Sequence, residues 1–133
     1  MWSVTSYQEL YREGHATERW NRLHPVEKPR VPYVTQCLRK AEGVFVAASD
    51  YVKALPDGID RWLPRPLTSL GTDGFGRSEG RASLRDFFEV DAKHIALATL
   101  VDLARAGSID ASVPQKAIAE LGINPEKPNP AIS

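Results

Sequence analysis

Hydrophobic and polar positions along the chain predict three short strands. Residues 2–6, WSVTS, alternate apolar and hydroxylated side chains, which predicts a strand with one buried face. Residues 44–49, VFVAAS, are apolar at five consecutive positions, which is typical of a central strand covered on both faces, as in parallel sheets. Residues 66–71, PLTSLG, form a third and shorter strand candidate.

Helical spacing of apolar residues fills the intervals between these strands. The first predicted helix begins at Tyr7 and is interrupted at Gly14, the second runs from Pro32 to Gly43, and the third is kinked near Pro56. A short helix covers SLRDFF at 83–88. The last two run from an Asp91 cap to Gly107 and from a Ser112 cap to Gly122. Apolar side chains occupy most of the circumference of the helix after Asp91, which predicts that it is largely buried. Strands alternating with helices predict an α/β fold.

Composition narrows the classes of partner and environment. Acidic and basic residues number 17 each, so no net charge attracts nucleic acid or anionic lipid. Cys37 is the single cysteine, which excludes an internal disulfide and fits a reducing cytoplasm. No apolar run reaches the roughly 18 residues that span a bilayer, so we expect no membrane association and a cytoplasmic location.

A glycine-rich loop, GTDGFGRS at residues 71–78, differs from the phosphate-binding P-loop pattern by one arginine in place of lysine. The guanidinium of Arg77 does not replace the compact charge of lysine between phosphates, and Gly80 weakens the helix that would face them. No later strand ends in an aspartate for magnesium. The alternative to a phosphate-binding loop is a tight turn in which Phe75 packs inward and Arg77 pairs with a carboxylate.

Other reactive residues lack the spacing of a site. His15, His24 and His94 do not form the i, i+4 pair of a helical zinc site, so no metal site is predicted. Cys37 lies on the apolar stripe of its helix, which predicts a buried, inert thiol. We therefore assign no catalytic, cofactor-binding or metal-binding residue from these patterns.

Five segments together resemble the C-terminal end of homodimeric bacterial pyruvate dehydrogenase, the decarboxylating first component of its complex. They are WSVTSYQELYREG, HPVEKPRVPYVTQCL, FVAASDYVKALPDGIDRWLP, LGTDGFGRSEGRASLRDFFEVDAKHI and ALATLVDLARAGSID. The resemblance runs from Trp2 to about Asn129 and is most specific in LGTDGFGRS and LRDFFEVDA. Transketolases and related thiamin diphosphate enzymes carry a looser version of this loop.

The resemblance implies a three-layer α/β/α fold with a small mixed, mostly parallel sheet, like the transketolase C-terminal domain. It also implies that the first strand and helix of that domain are lacking, so we expect a truncated domain, from a gene fragment or a split gene. Residues 1–124 would form the partial domain. Residues 125–133, which contain three prolines, would form an extended or disordered tail.

The resemblance places the chemistry outside this chain. Thiamin diphosphate, magnesium and the catalytic residues would belong to other domains of the parent enzyme. The family's diphosphate pattern, Gly-Asp-Gly followed 25–30 residues later by Asn, is incomplete here, because Thr72-Asp73-Gly74 has no asparagine in that window. We therefore expect no cofactor to be bound by this chain.

By resemblance, the chain is a structural and interaction portion of a pyruvate dehydrogenase, inactive alone. Its partners would be the remaining domains, the dimer mate and the dihydrolipoyl acetyltransferase component. The contact loop would comprise Thr72, Asp73, Gly74, Phe75, Gly76, Arg77 and Ser78. Two alternatives stay open: a free-standing interaction or regulatory module, and a nucleotide or phosphate binder that uses Gly71–Ser78.

Overall fold

The computed structural model describes all 133 residues, which divide into two compact units. The first unit contains Met1–Glu42 and Ala54–Leu67, and the second contains Gly43–Lys53 and Thr68–Ser133.

Three helices and a 3₁₀ turn build the first unit. They are α1 at Tyr7–Leu23, α2 at Tyr33–Leu38, α3 at Ala54–Asp57, and the 3₁₀ turn at Asp60–Trp62. Helix α1 begins where Ser6 caps it, because the Ser6 side chain accepts a hydrogen bond from the Glu9 backbone N–H. Val34, Ile59 and Trp62 form the buried core of this unit.

Trp62 is the largest side chain of this core, at 6% exposure. Its indole Nε1–H donates to Glu18 Oε1 at 2.9 Å, which satisfies the polar edge of a buried ring. The Thr35 hydroxyl donates to the Trp62 backbone carbonyl at 2.6 Å. A Cβ atom on Gly14 would lie 2.7 Å from three ring atoms of Trp62, so α1 accommodates the indole only because residue 14 has no side chain.

The second unit contains a two-stranded parallel sheet and three helices. The strands are β1 at Phe45–Ala48 and β2 at Leu67–Leu70, of which Thr68–Leu70 belong to this unit. The helices are α4 at Arg81–Phe87, α5 at Ala92–Arg105 and α6 at Ser112–Glu120. Helix α5 packs against both α6 and β1.

Helix α5 begins at the cap that the sequence predicts. The Asp91 side chain accepts from the His94 backbone N–H at 3.1 Å, and Asp91 Oδ1 lies 2.6 Å from His94 Nδ1. Between α4 and α5, Glu89 adopts a φ of 62°, the left-handed conformation in which side chains are uncommon outside Gly, Asn and Asp.

Several predictions of secondary structure are confirmed. The fold is α/β, and strands occur within 44–49 and 66–71 as predicted. Helices are also present at the predicted places. Gly107 and Gly122 lie just beyond the ends of α5 and α6 and have positive φ, as expected of glycines that end helices. Judged by length and hydropathy, none of the helices qualifies as a membrane span.

The predicted strand at residues 2–6 is wrong. That segment is irregular, with Trp2 and Val4 exposed, because an alternating pattern makes a strand only when a neighbouring strand pairs with it. The interruption at Gly14 is also wrong, since α1 continues through it. Helix α2 is shorter than predicted: Pro32 is its N-cap and it ends at Leu38.

Two further corrections concern the second unit. Helix α5 is not largely buried: His94 is its only fully buried residue, and most of its apolar side chains are partly exposed. Strand β1 is only partly covered as well. Ser112 is the first residue of α6 and Ala111 its N-cap, while Asp110 Oδ1 accepts from the Ser112 backbone N–H at 2.8 Å.

Candidate functional site

The stem of the glycine-rich loop is fixed against the segment that follows β1. Thr72 N–H donates to the Tyr51 carbonyl at 2.9 Å, and Asp73 Oδ1 accepts from the Lys53 N–H at 3.0 Å. Lys53 Nζ lies 3.4 Å from Asp73 Oδ2. A Cβ on Gly71 would lie 2.5 Å from the Tyr51 carbonyl oxygen, so the two backbones cross at a distance that only glycine permits.

The tip of the loop, residues 74–78, is exposed. Gly74 has a φ of 97° and lies against Pro130 and Ala131. Phe75 is 86% exposed, so the expectation that it packs inward is wrong. The Phe75 ring therefore adds apolar area to the surface of the second unit and none to its core.

Arg77 forms a cation–π contact, with its guanidinium carbon 4.3 Å from the centroid of the Phe87 ring. Its Nη2 donates to the backbone oxygen of Ser133 at 3.1 Å. These contacts hold the side chain in place, and no side-chain carboxylate pairs with it as the tight-turn interpretation had expected.

The loop and α4 enclose a pocket of about 410 Å³ in the second unit. Three of the predicted loop residues line it, namely Thr72, Gly76 and Arg77. The other lining residues are Asp50, Glu79, Arg81, Leu84, Arg85, Phe88 and Val90. Part of the predicted loop therefore lines a cavity that the sequence did not predict.

Asp50 and Arg85 form the one ion pair among the residues that line this pocket. Arg85 donates from Nε to Asp50 Oδ1 at 3.3 Å and from Nη2 to Oδ2 at 3.0 Å. This hydrogen bonding lowers the pKa of Asp50 and raises the pKa of Arg85. Both groups are therefore charged at neutral pH and fixed to each other.

A second cluster of ionisable groups contains Asp86, Asp91 and His94, whose ligand atoms lie within 4.8 Å of one another. Lys93 Nζ lies 2.5 Å from Asp86 Oδ1 and lowers the pKa of that carboxyl, while Asp91 is engaged by the His94 ring and as the cap of α5. These donors are already paired with protein cations and N–H groups. They do not fit the magnesium of a thiamin diphosphate site.

The phosphate-cradle reading of residues 71–78 requires backbone N–H groups that are free to face a ligand. Thr72 N–H is bonded to Tyr51, and the Thr72 hydroxyl donates to the Asp50 carbonyl at 3.1 Å. Helix α4, which would face the phosphates, has only seven residues. The loop geometry therefore favours a stem and an exposed tip over a phosphate cradle.

Sequence reasoning missed Arg81 and Arg85. Their spacing of four residues within α4 places them on one face of the helix, and Arg77 lies four residues before Arg81. This repeat is the signal that could have identified a cationic rim. Nothing in the sequence pairs Arg85 with Asp50, which is 35 residues away.

The chain is similar to a part of each of several longer proteins. The chain is 50% identical over 131 residues to the pyruvate dehydrogenase E1 component of Pseudomonas aeruginosa, and the match covers 98% of this chain and 15% of that protein. It is 46% identical over 134 residues to the protein of the same name from Escherichia coli K12, covering 100% of this chain and 15% of that protein. The chain thus spans about 15% of the length of these curated relatives.

A family model described as the transketolase-like TK C-terminal domain matches residues 1–91, which include the whole glycine-rich loop and α4. This match spans more than half of the chain and agrees with the α/β fold. The chain belongs to the transketolase-like C-terminal domain family.

Proposed function

We propose that this chain is the C-terminal structural and interaction portion of a thiamin diphosphate-dependent pyruvate dehydrogenase. It contributes contacts to the remaining domains and the dimer mate, and it has no catalytic activity alone. The parent reaction is the oxidative decarboxylation of pyruvate with acetyl transfer to the lipoyl group of the acetyltransferase component. The observation that carries this proposal is similarity over 98–100% of the chain to proteins named pyruvate dehydrogenase E1 component.

The geometry of the loop supports a role in contact. Asp73 anchors the stem through Lys53, which leaves Phe75 exposed on a tip whose base is fixed. An aromatic side chain presented with little loss of conformational entropy is a common anchor in protein interfaces. We propose that Thr72 through Ser78 form this contact loop, with Phe75 as the anchor.

Helix α5 supports the same role. It carries apolar residues on most of its surface, and yet only His94 is fully buried within this chain. Partly exposed Leu97, Leu100 and Val101 leave apolar area that association would remove from water. The second unit therefore has apolar surface available for contacts with other parts of the parent enzyme.

Regarding domain organisation, we propose that residues 1–124 form the domain and that 125–133 are an appended segment. Lys127 Nζ donates to the carbonyls of Asp86 and Phe87 at 2.6 and 2.8 Å, at the end of α4. The appended segment is attached to the second unit by this side chain, by Arg77 at Ser133 and by the close approach of Gly74 to Pro130 and Ala131.

Fragment complementation tests the proposed function. The chain is coexpressed with the Pseudomonas aeruginosa relative from which the matching portion has been deleted, and pyruvate-dependent dye reduction is measured. We expect activity only when both polypeptides are present, and we expect the chain alone to show no heat of thiamin diphosphate binding. Dye reduction by the chain alone, or failure to associate with the deleted relative, would contradict the proposal.

Two matched variants distinguish a specific contact by the loop from nonspecific hydrophobic association. Phe75→Ser removes an exposed aromatic side chain from the tip, and Val26→Ser removes a 96% exposed apolar side chain from the first unit. We expect the first change alone to weaken association with the deleted relative. Equal effects of both would exclude Phe75 as the anchor while leaving the parent-enzyme assignment intact.

A further inference from the structure

The pocket between the glycine-rich loop and α4 has the dimensions of a small-ligand site. Its volume of about 410 Å³ lies in the range that is usual for cavities that hold small organic molecules. All of its lining residues belong to the second unit. The pocket is therefore a property of one compact unit of this chain.

The floor of the pocket is apolar. Phe88 and Val90 are buried, and Leu84 on α4 is half-buried beside them. Apolar atoms that line a cavity favour the burial of an apolar portion of a ligand.

The rim of the pocket carries three guanidinium groups, Arg77, Arg81 and Arg85, and two carboxylates, Asp50 and Glu79. The Asp50 carboxylate is satisfied by Arg85, so this pair forms a neutral wall. Arg81 forms no hydrogen bond or ion pair within the chain. Its charge helps to lower the pKa of Asp50, but its N–H donors are available to a ligand. With Glu79 counted, the three guanidinium groups and two carboxylates leave the rim with one excess positive charge.

Arg77 adds a second cation in a fixed position. Its guanidinium lies over the Phe87 ring and donates from Nη2 to the Ser133 backbone oxygen. A guanidinium has five N–H donors, so these contacts leave others available. Arginine donors suit carboxylate and phosphate oxygens in particular, because the fork of N–H groups matches two oxygens at once.

We propose that this pocket binds a small organic anion that carries a carboxylate or phosphate group on an apolar body. The anionic group lies at Arg81 and Arg77, and the apolar body lies over Leu84, Phe88 and Val90. This inference goes beyond the proposed function. The pocket shares Thr72, Gly76 and Arg77 with the proposed contact loop, but the second unit alone forms it, so it can be tested on this chain without the parent enzyme.

Nuclear magnetic resonance titration of the 133-residue chain tests the proposal with three probes of similar shape. They are 3-phenylpropionate for the carboxylate, phenyl phosphate for the phosphate, and neutral 3-phenyl-1-propanol. We expect saturable shifts of amides at the pocket with one or both anions, and binding of the alcohol at least about tenfold weaker, since charge-assisted hydrogen bonds are lost. Comparison of the two anions identifies the preferred group.

Variants of two exposed arginines provide the control. Arg81→Gln removes the free cation, and we expect it to weaken anion binding by about fivefold or more and to reduce the salt dependence of binding. Arg19→Gln removes an exposed arginine of α1, and we expect no change. Unaltered amide shifts away from the pocket show that each variant is folded.

Three outcomes would overturn the proposal. The first is the absence of saturable shifts with both anions, and the second is equal affinity for the alcohol and the anions. The third is anion binding that Arg81→Gln does not weaken. Each of these leaves the complementation result unaffected, so failure of the pocket proposal is distinguishable from failure of the proposed function.

Discussion

Arg85 on α4 binds Asp50, which follows β1, through two hydrogen bonds to both carboxylate oxygens, at 3.0 and 3.3 Å. The pair connects a helix to the end of a strand within the second unit, across 35 residues of sequence. It also forms the neutral wall of the pocket. Its effect on stability and its effect on the pocket can be measured separately.

We expect Asp50→Asn to change the acid dependence of unfolding. Because the Arg85 hydrogen bond lowers the pKa of Asp50 in the folded state, the carboxylate stabilises the fold above its unfolded pKa. That contribution is lost as pH falls through the lower, folded pKa. The urea unfolding midpoint of wild type should therefore be higher than that of Asp50→Asn at pH 7, and the difference should vanish in strong acid.

The matched control for Asp50 is Glu42→Gln, which removes an exposed carboxylate that forms no ion pair. We expect a smaller change in the midpoint at pH 7. The effect will be modest even for Asp50, since both partners of the pair are well exposed. A gap between wild type and Asp50→Asn that widens as pH falls would contradict the assignment.

Gly14→Ala should destabilise the first unit. The new Cβ would lie 2.7 Å from the buried Trp62 ring, and such overpacking costs about 1–3 kcal/mol. The higher helix propensity of alanine returns about 1 kcal/mol, so we expect a net loss. Urea unfolding followed by tryptophan fluorescence measures this loss.

Gly76→Ala is the control for Gly14, because no atom lies within 4 Å of a Cβ built on Gly76. We expect its unfolding midpoint to match wild type or to rise slightly, since alanine restricts the unfolded chain. If both alanine variants had the same unfolding midpoint, the close approach of Gly14 to Trp62 would not be what excludes a side chain at residue 14.

Two substitutions of Asp91 distinguish its cap from its charge. Asp91→Ala removes the acceptor for the His94 N–H and should cost about 0.5–2 kcal/mol. Asp91→Asn keeps an oxygen at the N-cap, so we expect it to retain most of that stability. Amide hydrogen exchange of residues 92–95 should increase in the alanine variant. Equal losses in both variants would instead assign the stability to the negative charge of Asp91 at the start of α5.

Lys127→Met should loosen the last nine residues, although Gly74 and Arg77 still contact the end of the segment. The Lys127 ammonium donates to two carbonyls at the end of α4, where a cation also complements the helix dipole. We expect faster amide exchange over 125–133 with little change in the unfolding midpoint. Lys116→Met, an exposed position on α6, is the control and should leave this exchange unchanged.

Local patterns in the sequence predicted the elements that depend on local chemistry. The Asp91 cap and the apolar run at 44–49 specify a helix start and a strand by themselves, and both are present. Residues 2–6 have an equally regular alternation but no strand, because pairing depends on a neighbour that the pattern does not reveal. The same limit explains α5, whose apolar surface predicts burial without specifying what covers it.

The candidate site shows the same division. The glycine content of residues 71–78 predicted a tightly turned loop, and Gly71 and Gly74 meet the close contacts that such a turn needs. The outward position of Phe75 and the contact of Arg77 with Phe87 depend on the tail and α4. Such contacts join distant residues, so spacing within the loop could not predict them.

The contacts of Asp73 with Lys53 fix the base of the glycine-rich loop, so changes at the tip need not alter the base. Between Leu70 and Asp73 the backbone crosses Tyr51 too closely for any added atom, so an inserted residue there would shift the register of β2. Beyond Gly74, no atom lies within 4 Å of a Cβ built on Gly76 or Gly80, so added length there moves the tip and the Arg77 side of the pocket but not the base of the loop. A short epitope or fluorescent tag inserted after Gly76 would consequently report on what approaches this surface while leaving the sheet as it is.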